Sequence, residues 1–218
     1  DALEKARGIT IFSKQALFTA GNTDFTLLDT PGHVDFSTET ERTLQVLDYA
    51  VLVISGTDGV QSHTETLWRL LRRYHVPTFV FVNKMDLPGK SREELLAQLN
   101  HRLGEGFVAF DVPQADRDEA LALCDENLMD RMLDAGQLTD ADLIPAVARR
   151  HVFPCWFGSA LRRTENDALE SVDALLDGID RYTRPAPALD AFGAKVFKVS
   201  QDEQGTRLRS EERRVGKE

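Results

Sequence analysis

Thr78-Phe79-Val80-Phe81-Val82 runs straight into Asn83-Lys84-Met85-Asp86, and the rest of the chain can be placed around this junction. A short apolar run rich in β-branched and aromatic residues reads as a parallel strand covered on both faces. The abrupt change to polar residues marks its carboxyl end, where open α/β sheets hold their ligands. Two further runs have the same make-up: Ala50-Val51-Leu52-Val53-Ile54 upstream and Val152 to Phe157 downstream. Segments of helical periodicity fill the gaps. Leu67, Leu70, Leu71 and Tyr74 recur at helical spacing, as do Leu169, Val172, Leu175, Leu176 and Ile179. Ser91 with Glu94, and Thr139 with Asp142, are capping-box signals ahead of apolar runs. This alternation predicts an α/β protein with a mostly parallel sheet and helices on both faces.

Working outward, Ile9 to Leu17 mixes apolar and polar residues as an edge strand does. Phe25-Thr26-Leu27-Leu28 follows the turn signal Gly21-Asn22-Thr23-Asp24, so the two predict an antiparallel hairpin. Residues from about 104 to 150 are acidic and helix-prone, too long for a simple crossover, and read as a helical insertion. Arg184-Pro185-Ala186-Pro187 reads as a linker. Beyond it, Gly193 to Val199 alternates like the first strand of a second, β-rich domain within 185–209. Residues 210–218 carry one apolar side chain and are expected to be a solvated or foreign tail that does not pair as a half-buried strand.

The chain has 218 residues, 42% apolar and 28% charged, which suits a folded globular protein rather than a disordered one. Lys and Arg number 26 against 36 Asp and Glu, a net charge of −10. That argues against a general DNA binder, which needs a basic surplus, while leaving room for local basic patches on RNA. No apolar run is long enough for a membrane span. Cys124 and Cys155 lack metal-ligand spacing, and two free thiols suit a reducing cytoplasm. The chain lacks an initiator Met and opens within the charged run Asp1 to Arg7, as an internal fragment does.

Four short elements carry chemistry. Asp29-Thr30-Pro31-Gly32-His33 ends the Phe25–Leu28 strand. A carboxylate there can hold hydrated Mg²⁺, and the glycine lets a backbone N–H approach phosphate. The bland alternative is a turn with a helix cap. Asn83-Lys84-Met85-Asp86 offers a carboxylate able to accept two parallel N–H bonds, which guanine presents and adenine does not. Alone it is a polar loop before Pro88-Gly89. Gly158-Ser159-Ala160-Leu161 allows a backbone N–H to reach a base oxygen, and Arg7-Gly8-Ile9-Thr10 presents a hydroxyl suited to Mg²⁺. Each is weak alone. Their joint order, with three of them closing apolar strands at one expected sheet end, is not.

On Arg7-Gly8-Ile9-Thr10, Asp29-Thr30-Pro31-Gly32-His33, Asn83-Lys84-Met85-Asp86 and Gly158-Ser159-Ala160, the chain resembles the translation-factor GTPases of the elongation-factor-G-like branch. The short span between Asp86 and Gly158, and the strand closely following the last helix, make it most similar to the tetracycline-resistance ribosomal protection proteins. The resemblance implies a GTP-binding domain over residues 1–184, followed by the start of a β-barrel. It implies GTP/GDP and Mg²⁺ as cofactors, with Thr10 and Asp29 on the metal and Gly32 on the γ-phosphate. His33 would orient the attacking water, with Ile9 as its apolar gate. Asn83 and Asp86 would select guanine, Lys84 would lie over the base, and Ser159, Ala160 and Leu161 would close behind it. The implied protein is a cytoplasmic, monomeric, ribosome-dependent GTPase whose partners are ribosomal RNA and proteins, with no DNA and no membrane. An elongation-factor-G-like translocase and a non-hydrolysing ribosome-docking module are the alternatives.

The family's phosphate loop, G-x-x-x-x-G-K-[ST], does not occur in residues 1–218. In these folds it precedes the Thr10 segment, on a strand lying between the Phe25–Leu28 and Ala50–Ile54 strands. Residues 1–218 alone are therefore expected to bind GTP weakly or not at all. His63, His75, His101 and His151 fall outside every motif, and Trp68 and Trp156 read as packing residues.

Overall fold

The computed structural model describes residues 14–21, 23–30, 37–161, 172–185, 193–201 and 207–214. The chain divides into two compact units, one of Thr19–Thr23 with Tyr49–Arg184, the other of Asp1–Phe18, Asp24–Asp48 and Pro185–Glu218.

The larger unit is built on a four-stranded sheet of β3 (Ala50–Ser55), β4 (Thr78–Asn83), β6 (Phe153–Phe157) and β5 (Phe107–Ala109), side by side in that order. All its pairings are parallel, with Ser55 opposite Asn83 and Val82 opposite Phe157. Parallel strands need crossovers, and helices supply them: α2 (Ser62–Arg73), α3 (Arg92–Leu103), α4 (Gln114–Ala122), α5 (Glu126–Ala135) and α6 (Asp140–Ala148), while α7 (Val172–Tyr182) follows the last strand. The predicted capping box at Ser91 forms: its side chain accepts the Glu94 N–H at 3.2 Å, and Glu94 returns the bond to the Ser91 N–H at 2.8 Å. At α6, Asp142 accepts from the Thr139 N–H at 2.9 Å.

Alternation along β6 builds a core on each side of the sheet. On one face Phe153 meets Trp68 of α2 at 4.7 Å and Phe107 at 4.9 Å between ring centroids. On the other, Trp156 meets Phe79 at 6.1 Å and Phe110 at 5.4 Å, and Phe110 meets Tyr182 of α7 at 5.3 Å. Both tryptophans are buried, as expected of packing residues, and Trp68 donates its indole N–H to the Leu103 carbonyl at 2.6 Å. Arg150 closes the amino-terminal side, stacked on Trp68 at 4.8 Å and bonded to the Val76 carbonyl and, at 3.0 Å, the Thr78 hydroxyl. Burial, with Arg72 nearby, lowers its pKa to about 10.

Covering on both faces holds for β4 and β6 but not for β3. It is the edge strand of this sheet, and Val51 and Val53 stand 39% and 60% exposed. The 104–150 segment is not purely helical either. Phe107–Ala109 pairs with β6 as an edge strand before α4, α5 and α6 begin.

In the second unit, α1 (Ser37–Leu44) is helical. The β1 (Lys14–Ala20) and β2 (Thr23–Asp29) strands make a two-stranded ribbon turning at Gly21, whose φ of +59° suits glycine. Phe18 stacks on Phe25 at 5.3 Å. The first strand thus runs further than the predicted Ile9–Leu17, of which 9–13 lie outside the described residues. Among the described residues β2 is hydrogen-bonded only to β1.

β7 (Gly193–Gln201) pairs antiparallel with β8 (Arg207–Arg214), with a register shift between Val196 and Lys198. Residues 210–214, expected as part of a solvated or foreign tail, thus pair with β7 through their backbone. A two-stranded ribbon is held by backbone bonds, which need no apolar alternation. Residues 215–218, Leu169 and most of the linker lie outside the described residues.

Candidate functional site

Because β3, β4 and β6 are parallel, their carboxyl ends deliver three loops to one rim: Ser55–Gly59, Asn83–Leu87 and Gly158–Leu161. Backbone bonds lace them together. The Gly56 N–H donates to the Asn83 carbonyl at 2.7 Å, the Gly158 N–H to the Val82 carbonyl at 2.9 Å, and the Met85 N–H to the Gly158 carbonyl at 3.1 Å.

The Asn83 side chain joins two of the loops. Its Oδ1 accepts the N–H of Lys84 at 2.8 Å and of Ala160 at 2.9 Å. Both partners are backbone donors, which fixes the oxygen on this side and leaves the amide NH₂ as the donor for a ligand. Lys84 adopts φ +66°, a conformation uncommon for a side-chain-bearing residue and found where surrounding structure enforces it. The Lys84, Asp86, Ala160 and Leu161 side chains are exposed, and Asn83 and Ser159 are half-buried.

The Ser55–Gly59 loop packs too closely for a side chain at Gly56. A Cβ on Gly56 would sit 2.6 Å from the Met85 sulfur and 3.2 Å from the Asn83 carbonyl. One on Gly89 would meet the Thr57 backbone at 2.9 Å. Lys90 donates to the Asp58 carbonyl at 3.0 Å. Hydrogen bonds from Ser55 and Thr57, then the charges of Lys84 and Lys90, hold the Asp58 carboxyl below its ordinary value.

Asn83, Lys84 and Asp86 thus share one laced rim with Ser159, Ala160 and Leu161. Asp29 is the exposed last residue of β2, in the other unit. Thr10, Gly32, His33 and Ile9 lie outside the described residues. Among the described residues no group of three His, Cys, Asp or Glu is placed to hold a metal, and no helix is long and apolar enough to cross a membrane.

Sequence reasoning missed the glycine-packed Ser55–Gly59 loop and the close approach of Gly89 to it. It also missed Asp111, buried just past β5, whose Oδ2 accepts the Phe157 N–H at 3.1 Å. Phe107-Val108-Ala109-Phe110-Asp111, an apolar run ending in a polar residue, repeats the pattern of Val82-Asn83 and could have revealed it.

Comparison with known proteins places this geometry. Residues 1–185 match the elongation factor Tu GTP binding domain. The chain is 39% identical over 178 residues to the tetracycline resistance protein TetM of Streptomyces lividans, covering 73% of this chain and 28% of the relative. It is 38% identical, over an alignment of 231 residues, to the oxytetracycline resistance protein of Streptomyces rimosus, covering 93% of this chain and 34% of the relative. A crystal structure of a Thermus thermophilus protein superposes with a TM-score of 0.78 at 23% identity, over 98% of this chain and 38% of that one, which establishes likeness of fold. The chain therefore spans about a third of the length of these relatives.

Proposed function

The chain belongs to the family of the elongation factor Tu GTP binding domain, and from that premise we propose that it is the guanine-selecting part of a ribosome-dependent GTPase that protects ribosomes against tetracycline. The observation that carries the proposal is the Asn83 side chain holding the Ala160 N–H, which fuses two loops distant in sequence into one rim. On that rim the exposed Asp86 carboxylate accepts from the ring N–H and exocyclic amine of guanine. The Asn83 amide donates to a purine ring nitrogen, and the Lys84 alkyl stem covers one face of the base. Ser159, Ala160 and Leu161 close the other side. Adenine offers neither N–H where Asp86 needs it, so the site rejects it.

Asp29 and Thr10 supply hard oxygen donors of the kind Mg²⁺ takes, and the ion, when bound, neutralises charge developing on the phosphates. Gly32 meets the γ-phosphate through its N–H, and His33 orients the attacking water. The relatives named for tetracycline and oxytetracycline resistance support protection of the ribosome as the biological role. In this reading the full-length protein works as a cytoplasmic monomer, with ribosomal RNA and proteins as its partners and neither DNA nor membrane. Hydrolysis releases segments that GTP had ordered, and the change in fit to the ribosome does the work.

The test is His33→Ala in the full-length gene product. Orienting groups act on the transition state, so GTP affinity should stay near normal. Ribosome-stimulated turnover should fall by about a hundredfold or more, the scale of a positioned proton-handling group. Unchanged stimulated turnover would remove His33 from the reaction.

A further inference from the structure

The guanine loop begins where the sheet ladder runs out. β5 is backbone-paired with β6 only from Phe107 to Ala109, and the Phe110 N–H reaches the Cys155 carbonyl at 2.9 Å. The next donor on that side of β6 is the N–H of Phe157, immediately before Gly158. Among the described residues no backbone carbonyl takes it. The Asp111 side chain does, at 3.1 Å, so a carboxylate continues the ladder one step beyond the strand. On the opposite side the Gly158 N–H is held by Val82. Phe157 and Gly158 are therefore clamped from both flanks as they launch Ser159 and Ala160.

The carboxylate is itself aimed. Arg92, the first residue of α3, pairs with Asp111 Oδ2 and lays its guanidinium over the Phe157 ring, 5.1 Å from the centroid. Arg92 ends the loop that starts at Asn83, so one ion pair ties the exit of the first guanine loop to the entry of the second. The Asp111 side chain is fully buried, while that of Arg92 is 32% exposed. Asp111 Oδ1 is buried with no hydrogen-bond partner among the described residues. A buried carboxylate with an orphaned oxygen costs stability, and replacing a buried ion pair as a whole by apolar side chains of similar volume is often neutral or stabilising, although removing one partner alone is not. Its placement is costly for folding and well suited to geometry.

We propose that Asp111 and Arg92 are positioning residues for guanine recognition: they fix the Phe157–Gly158 backbone and thereby aim the Ser159–Ala160 loop against Asn83 and Asp86. This rests on the guanine reading of the rim. A merely structural ion pair would lose stability and nucleotide together when broken. A positioning pair separates the two.

The experiment uses the full-length gene product, a fluorescent GDP to read release, thermal unfolding without nucleotide, and hydrogen exchange of the 157–160 amides without nucleotide. Asp111→Leu, which cannot accept from Phe157, should release GDP about tenfold faster, the worth of one hydrogen bond. It should also exchange the Phe157 and Ala160 amides faster, and in Asp111→Leu combined with Arg92→Met, which replaces the whole pair, the faster release and exchange should persist with little drop in Tm. Asp111→Asn, which keeps an acceptor, should stay within about threefold of the parent. GDP release and amide exchange unchanged in Asp111→Leu would overturn the proposal. If Asp111→Leu melts much lower, Arg92→Gln decides: faster release supports the proposal and unchanged release overturns it. Asp86→Ala in the same assay separates the two claims. If it binds GDP as tightly as the parent, the guanine reading fails. If it loses GDP while the Asp111 and Arg92 variants hold it normally, only the positioning role fails.

Discussion

The Asp125 carboxylate caps α5, accepting the N–H groups of Asn127 at 2.8 Å and Leu128 at 3.4 Å, and it also meets Nδ1 of His151. Burial pushes its pKa up, but the bonds from His151, Asn127 and Leu128 outweigh that, and the net shift is downward. The sign of the pH effect follows. A carboxyl whose folded pKa lies below its unfolded value stabilises the fold above the unfolded value, and that contribution disappears as pH falls through the folded one. Thermal unfolding of the parent and Asp125→Asn should therefore differ most above the ordinary carboxyl range and converge as pH falls through the lowered folded pKa. A difference that stays constant from neutral to acid pH would refute it. Legibility differed sharply among residues. Asn83 and Asp86 could be read because their chemistry sits next to the strand that delivers them. Asp111 ends a similar apolar run, Phe107 to Phe110, but its role was hidden because its partners, Arg92 and Phe157, are far away along the chain and only the fold brings them in.

Among elements, the strands rich in Val and Phe were legible from composition, and Thr78–Asn83 and Phe153–Phe157 are buried throughout or nearly so. Ala50–Ser55 has the same composition but an edge position, and a sequence run cannot show which strand has a neighbour on one side only. The three-residue β5 was too short to give a periodic signal, and the pairing of β8 depends on backbone bonds that leave no apolar pattern. The α7 helix offers a test at this scale. Gly178 lies against Trp156 of β6, and a Cβ there would fall 2.6 Å from Cη2 of the indole. In a free helix, Gly→Ala gains about 1 kcal/mol. Here overpacking against a buried ring should reverse the sign, and Gly178→Ala should cost about 1–3 kcal/mol, read as a lowered denaturation midpoint. A raised midpoint would show that α7 does not rest on Trp156 through its glycine.

At the scale of the whole molecule, the four-stranded unit carries the rim proposed for guanine on its own elements, from β3, β4 and β6. The residues proposed for phosphate and metal, Thr10, Asp29, Gly32 and His33, come from the amino-terminal segments of the chain, and their proposed roles rest on family resemblance. The central claim is that Asp86 reads the guanine edge, and it is tested by exchanging donor for acceptor. Xanthine carries a carbonyl where guanine carries its amine, so an amide at position 86 should suit it. In the full-length gene product, calorimetric titration of Asp86→Asn should show GDP affinity lower by about a hundredfold, the loss of a charge-assisted pair of bonds, and xanthosine diphosphate bound more tightly than GDP. Parent-like GDP affinity in Asp86→Asn, with xanthosine diphosphate still rejected, would contradict the assignment.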